Sequence, residues 1–100
     1  MQPTLIVLEG LDGSGKATQT ARLTEALQAR GLPVRHVSFP DYDEPSSVLV
    51  QMYLKGEFGA DPGDVNAYAA SLFYSVDRYA SYRRLWAEDY RKGTVILADR

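Results

Sequence analysis

The chain has 100 residues, 45% of them hydrophobic and 24% charged, with a formal net charge of −2 and no cysteine. That length allows one small domain, the lack of cysteine excludes disulfide and thiolate chemistry, and an acidic balance argues against a nucleic-acid partner, which needs a basic excess. The apolar run near the N-terminus is only about five residues and no basic segment precedes it, so it reads as neither a signal peptide nor a membrane span, and a cytoplasmic location is the expectation.

In chain order, TLIVLEG (residues 4–10) reads as a buried strand entering a glycine turn. The stretch from Lys16 to Arg30 is helical in pattern: Leu23, Ala26, Leu27 and Arg30 fall at i, i+3, i+4 and i+7, with the Arg30 stem able to lie over the apolar stripe. Gly31 is the expected stop and Pro33 the break. VRHVSF (34–39) is a second strand, in which His36 reads as an ordinary strand residue with no partner in any motif. PDYDEPSS (40–47) is a loop, and Pro45 opens a short helix to about Lys55, ended by Gly56. After a turn-rich stretch at 59–63, Asp64 is the expected N-cap of a long helix from Val65, with Ala69, Leu72, Phe73 and Val76 at helical spacing. That helix continues, with a break near Ser81, to Lys92, and Gly93 stops it. Met52, Tyr53 and the outer side of the long helix stand out only as apolar candidates for an interface.

TVILAD (94–99) is the third strand. Strands separated by helices imply a parallel sheet covered on both faces, an α/β fold. The apolar run of GTVILADR (93–100) ends on Asp99 and Arg100, and a buried strand needs neighbours on both faces. The expectation is that residues 1–100 are the N-terminal part of one larger domain, inactive by themselves because one sheet edge is uncovered.

Gly10, Gly15 and Lys16 fit G-x-x-x-x-G-K between a strand and a helix, the context a phosphate-binding loop requires. Gly10, Gly13 and Gly15 let the backbone turn tightly and aim N–H groups inward. The helix beginning at Lys16 adds its unpaired N–H groups and dipole. The nucleotide-binding segment is then Gly10, Leu11, Asp12, Gly13, Ser14, Gly15, Lys16, Ala17 and Thr18, with Lys16 reaching the outer phosphates; the plain alternative is a glycine-rich turn with a surface lysine. Ala17 stands where a hydroxyl normally ligates Mg²⁺, and Thr18 is no replacement, since one helical step rotates a side chain by about 100°. The cradle is intact and the metal lacks one ligand. Asp12, a carboxylate inside an anion cradle, either has its charge offset by a neighbouring group or stabilises a local turn. Asp99, ending an apolar strand, either holds the Mg²⁺, directly or through water, or caps a turn.

The segments EGLDGSGKATQ (9–19), FPDY (39–42), LFYSVDRYAS (72–81) and ILADR (96–100), in this order and spacing, resemble the thymidylate kinase family of P-loop nucleoside monophosphate kinases across essentially all 100 residues. The resemblance implies a three-layer P-loop NTPase fold with strand order 2-3-1-4-5, of which strands 2-3-1 lie in this chain; the lid, the adenine-binding segment and the last two strands do not. It implies phosphoryl transfer from ATP to dTMP, giving dTDP and ADP, with Mg²⁺ and a homodimeric protein. Lys16, Asp99 and Arg100 would be catalytic, and Arg100 would clamp the acceptor phosphate. Asp12 would contact the deoxyribose 3′-hydroxyl, and Phe39 and Pro40 would line the acceptor pocket. Tyr74 would stack on thymine and Arg78 would bind its O4. Read alone, Tyr74 and Arg78 are simply i and i+4 neighbours on an amphipathic helix. Two departures are Ala17 and Tyr42, the latter standing where many members carry an arginine. Competing readings are a related deoxynucleoside or nucleoside monophosphate kinase, and a nucleotide-binding regulator without turnover, which Ala17 favours.

Overall fold

β3 (Val95–Asp99) organises the unit formed by residues 1–38 and 85–100. In the computed structural model, which describes residues 2–11 and 13–100, it lies between β1 (Thr4–Leu8) and β2 (Val34–Ser38) and is parallel to both. The order β1-β3-β2 is the expected 2-3-1 block read from the other edge. Four consecutive residues of β3, Val95 to Ala98, are 0–3% exposed, as a run with no polar position before Asp99 requires. Leu8, Asp99 and Ser38 are in register, so the three strands end level.

The helices are α1 (Lys16–Ala29), α2 (Val48–Leu54), α3 (Ala67–Ser81) and α4 (Ala87–Lys92). Alternation along β2 shows which helix covers which face of the sheet. Arg35 donates from Nη1 to Asp89 of α4 at 2.7 Å and to the Leu85 carbonyl at 2.8 Å. His36, on the opposite face, lines a cavity with residues of α1. The unit is therefore helix, sheet, helix. α4 ends at Gly93, whose φ of 96° is the left-handed cap that favours glycine.

α1 ends one residue earlier than expected, and its apolar stripe is not what it buries. Thr20 is its buried residue, while Leu23 and Leu27 are half-buried and Ala26 and Arg30 exposed. The Thr20 and Thr24 hydroxyls donate to the carbonyls of Lys16 and Thr20 at 2.8 Å. Their polar atoms are thus satisfied within the helix, which lets short side chains face the sheet.

Residues 39–84 form a second unit. A 3₁₀ turn at Pro45–Ser47 leads into α2, and both pack on α3. Val50 and Ser47 are fully buried. Tyr53 is half-buried beside this core, its ring 6.1 Å from Phe73 and 6.4 Å from Tyr74. The cap of α3 is Asn66, not Asp64. The Asn66 side chain accepts from the Ala69 N–H at 2.9 Å, whereas the Asp64 carboxylate accepts from the Asp61 N–H inside the preceding loop. The expected break near Ser81 is a π-helical turn, Tyr82–Trp86, between α3 and α4. Among the described residues no helix is long and apolar enough to cross a membrane.

Leu97→Ala should lower the stability of the full-length protein by about 2–5 kcal/mol, because Leu97 is fully buried in the central strand. Urea denaturation checks this, and a cost under about 1 kcal/mol would contradict that burial.

Candidate nucleotide-binding site

The turn after β1 has the geometry its glycines suggest. Gly13 and Gly15 have φ of 81° and 88°, a region that side chains strain to adopt. The Ser14 N–H donates to the Leu11 carbonyl at 3.0 Å, closing the turn. A Cβ at Gly10 would stand 2.6 Å from Ser14 Oγ. The first intrahelical bond of α1 runs from the Gln19 N–H to the Gly15 carbonyl, so the amides of Lys16, Ala17 and Thr18 precede it. Leu11, Gly13, Gly15, Lys16, Ala17 and Thr18 line a cavity of about 410 Å³. Asp12 lies outside the described residues.

Lys16 Nζ donates to the Arg100 main-chain oxygen at 2.9 Å and to the Gly10 carbonyl at 3.5 Å. The lysine thus bridges the end of β3 and the start of the glycine turn. The Arg100 side chain pairs with Glu9 at 2.7 Å, both largely exposed. Asp99 Oδ2 accepts from His36 Nε2 at 2.5 Å and from Ser38 Oγ at 3.0 Å. Because a carboxylate only accepts, Nε2 carries the proton. Ala17, Thr20, Ala21, Thr24, Glu25, His36 and Asp99 line a second, open pocket of about 460 Å³. The expected metal fits this donor set as a hard oxygen-loving cation. Mg²⁺ is ordinarily held by one or two carboxylates plus phosphates and waters, and Asp99 is such a carboxylate beside a position, Ala17, without a hydroxyl.

In the second unit, Phe39 and Pro40 are joined by a cis peptide. Tyr74 and Arg78 are both half-buried on α3. Burial first, then the neighbouring Tyr53 and Tyr42 phenols, raise the Tyr74 pKa above its ordinary 10.0. The hydroxyl therefore stays protonated at neutral pH. Asp77, between these residues, is completely buried, and its two oxygens accept from the Asp41 N–H at 3.3 and 3.0 Å. Ser81 Oγ donates to Asp41 Oδ2 at 3.2 Å. The long helix thus grips the loop that follows Pro40. Burial raises the Asp77 pKa and the Asp41 carboxylate adds to this; the Asp41 N–H and the Arg78 charge oppose it.

Motif reading missed His36, Ser38 and Asp77. The first two had a visible signal: in VRHVSF the polar residues His36 and Ser38 are two apart, hence on one face, and that face receives Asp99. Asp77 sits within a quoted motif, but its partner lies 36 residues away in a loop, beyond any local pattern.

A strand, a glycine turn with left-handed glycines, a lysine opening a helix, and a neighbouring strand delivering an aspartate define a P-loop nucleotide-binding unit. More specifically, the chain belongs to the thymidylate kinase family, whose family model, described as thymidylate kinase, matches residues 8–100. It is similar to the thymidylate kinase of Arabidopsis thaliana, at 35% identity over 96% of this chain and 34% of that protein. It is likewise similar to that of Homo sapiens, at 33% identity over 96% of this chain and 42% of that protein. The fold matches a crystal structure of the Ehrlichia chaffeensis thymidylate kinase with a TM-score of 0.65 at 22% identity, over all of this chain and 55% of that one. The chain spans less than half the length of these curated relatives.

Asp77 yields a signed pH prediction. Its pKa is raised on folding from an ordinary 3.8, so the native state holds this proton more tightly than the unfolded chain. The contribution is fullest below that ordinary value and is lost as pH rises through the raised one. Asp77→Asn should flatten this decline in denaturation series across pH, and an unchanged slope would assign the decline to other groups.

Proposed function

We propose that these residues belong to an enzyme that transfers the γ-phosphoryl group of ATP to dTMP, giving dTDP and ADP, and form the N-terminal part of its single P-loop kinase domain. Family membership over residues 8–100 supports the reaction class. The observation that carries the reading is Lys16 Nζ donating to the main-chain oxygens of Gly10 and Arg100, where Asp99 lies in register with Leu8.

In this reading the amides from Gly13 to Thr18 and Lys16 hold the donor phosphates. A protein with little covalent chemistry to perform gains its rate by aligning donor and acceptor and neutralising charge. Lys16 supplies one positive charge, and Arg100 supplies another to the acceptor phosphate once it leaves Glu9. Asp99 is the carboxylate that would hold Mg²⁺, which would supply positive charge against the phosphates. Tyr74 offers its ring as a platform for a planar base, with Arg78 one turn on as donor to a carbonyl oxygen. Phe39 and Pro40 line the acceptor pocket, and Asp12 contacts the sugar. A homodimer, by family resemblance, and a cytoplasmic location complete the reading.

With the purified full-length protein, dTMP should be phosphorylated faster than dGMP or thymidine when ADP release is followed. A faster rate with either alternative would move the assignment to a neighbouring kinase class. Binding of both nucleotides without ADP formation would instead favour the regulator that Ala17 supports.

Ala17→Ser restores the hydroxyl at the metal position. It should lower the Mg²⁺ concentration giving half-maximal rate, read from a metal titration at fixed ATP. An unchanged titration would mean that the cation does not meet this position.

A further inference from the structure

We propose that His36 is a positioning residue for Asp99: with Ser38 it orients this carboxylate toward the cation, at a site where Ala17 provides no hydroxyl. The inference rests on the phosphoryl-transfer reading and deepens it.

The geometry is specific about the oxygen involved. Both donors, His36 Nε2 and Ser38 Oγ, reach Oδ2 of Asp99, at 2.5 and 3.0 Å. A carboxylate oxygen accepts about two hydrogen bonds, so Oδ2 is saturated and Oδ1 is the oxygen available to a metal or its water. A quarter-turn of the carboxylate about its Cβ–Cγ bond would break both bonds and is resisted. Such outer partners fix the orientation of metal-ligating groups. The register makes the arrangement possible: Ser38 is level with Asp99, and His36 stands two residues back on the same face. The imidazole lies on the wall of the 460 Å³ cavity that Ala17 and Asp99 also line.

A purely stabilising pair is the competing account. The His36 and Asp99 side chains are 46% and 22% exposed, and exposed ion pairs are worth only about 0–1 kcal/mol. Stability therefore changes little in either case, and metal dependence is the discriminating readout.

The experiment uses full-length protein at one fixed pH. ATP binding is followed by calorimetry, first in a chelator and then across a Mg²⁺ series, alongside the Mg²⁺ dependence of dTMP phosphorylation. His36→Leu, which removes the donor, should raise the Mg²⁺ needed for half-maximal tightening of ATP binding by about tenfold, with metal-free ATP affinity unchanged within about twofold. Ser38→Ala should shift it in the same direction by less. His36→Gln, which keeps an N–H at the end of the side chain, should restore most of the loss. The proposal is overturned if His36→Leu titrates with Mg²⁺ like the parent protein, if metal-free ATP binding falls equally, or if glutamine rescues nothing. If ATP affinity of the unmodified protein ignores Mg²⁺, the phosphoryl-transfer reading falls with it, an outcome recognisable before any variant is made.

Discussion

Everything in the sheet-bearing unit depends on β3 having no exposed face. Four successive residues buried to 3% or less cannot be satisfied by one layer, so β1 and β2 must flank the strand and α1 and α4 must cover it. Burial also pins the register, since a slip of one residue would exchange every side chain between the two faces. Asp99 is the first residue past that constraint. It emerges level with Leu8 and Ser38, where open parallel sheets place their ligands.

The same alternation separates structure from chemistry. On one face of β2, Arg35 ties the sheet to α4 through Asp89 and the Leu85 carbonyl, a contact concerned with packing. On the other, His36 and Ser38 meet Asp99. α1 can lie over that second face because it presents alanines and threonines whose hydroxyls return to their own helix. Larger residues there would fill the space beside Asp99; the small ones leave a cavity.

Much of this was legible in the sequence, for identifiable reasons. The strands and the glycine stops at Gly31, Gly56 and Gly93 followed from strong local signals, unbroken apolar runs and residues that alone tolerate positive φ, whereas the strand order came from the family resemblance. What was misread involved competition between similar groups or distant partners. Asp64 and Asn66 are both good caps, and which one caps the helix depends on whether the loop at Asp61 claims the carboxylate. The leucines of α1 form a respectable stripe, yet packing against the sheet chose Thr20. His36 looked unpartnered because its partner lies 63 residues on. Asp12, the most informative residue of the loop on paper, lies outside the described residues.

The two cations at the end of β3 differ in what an anion must displace. Among the described residues, Lys16 donates to two main-chain oxygens, and the amides of the turn add to its field. An arriving phosphate replaces dipoles with a full charge, a clear gain. Arg100 is already paired with Glu9, but both side chains are more than half exposed, and such a pair is worth about 0–1 kcal/mol. Releasing the guanidinium therefore costs little against the bidentate contact it can make with a phosphate. In the proposed reading, Lys16 would therefore meet a phosphate without first leaving an ion pair, whereas Arg100 would first have to leave Glu9.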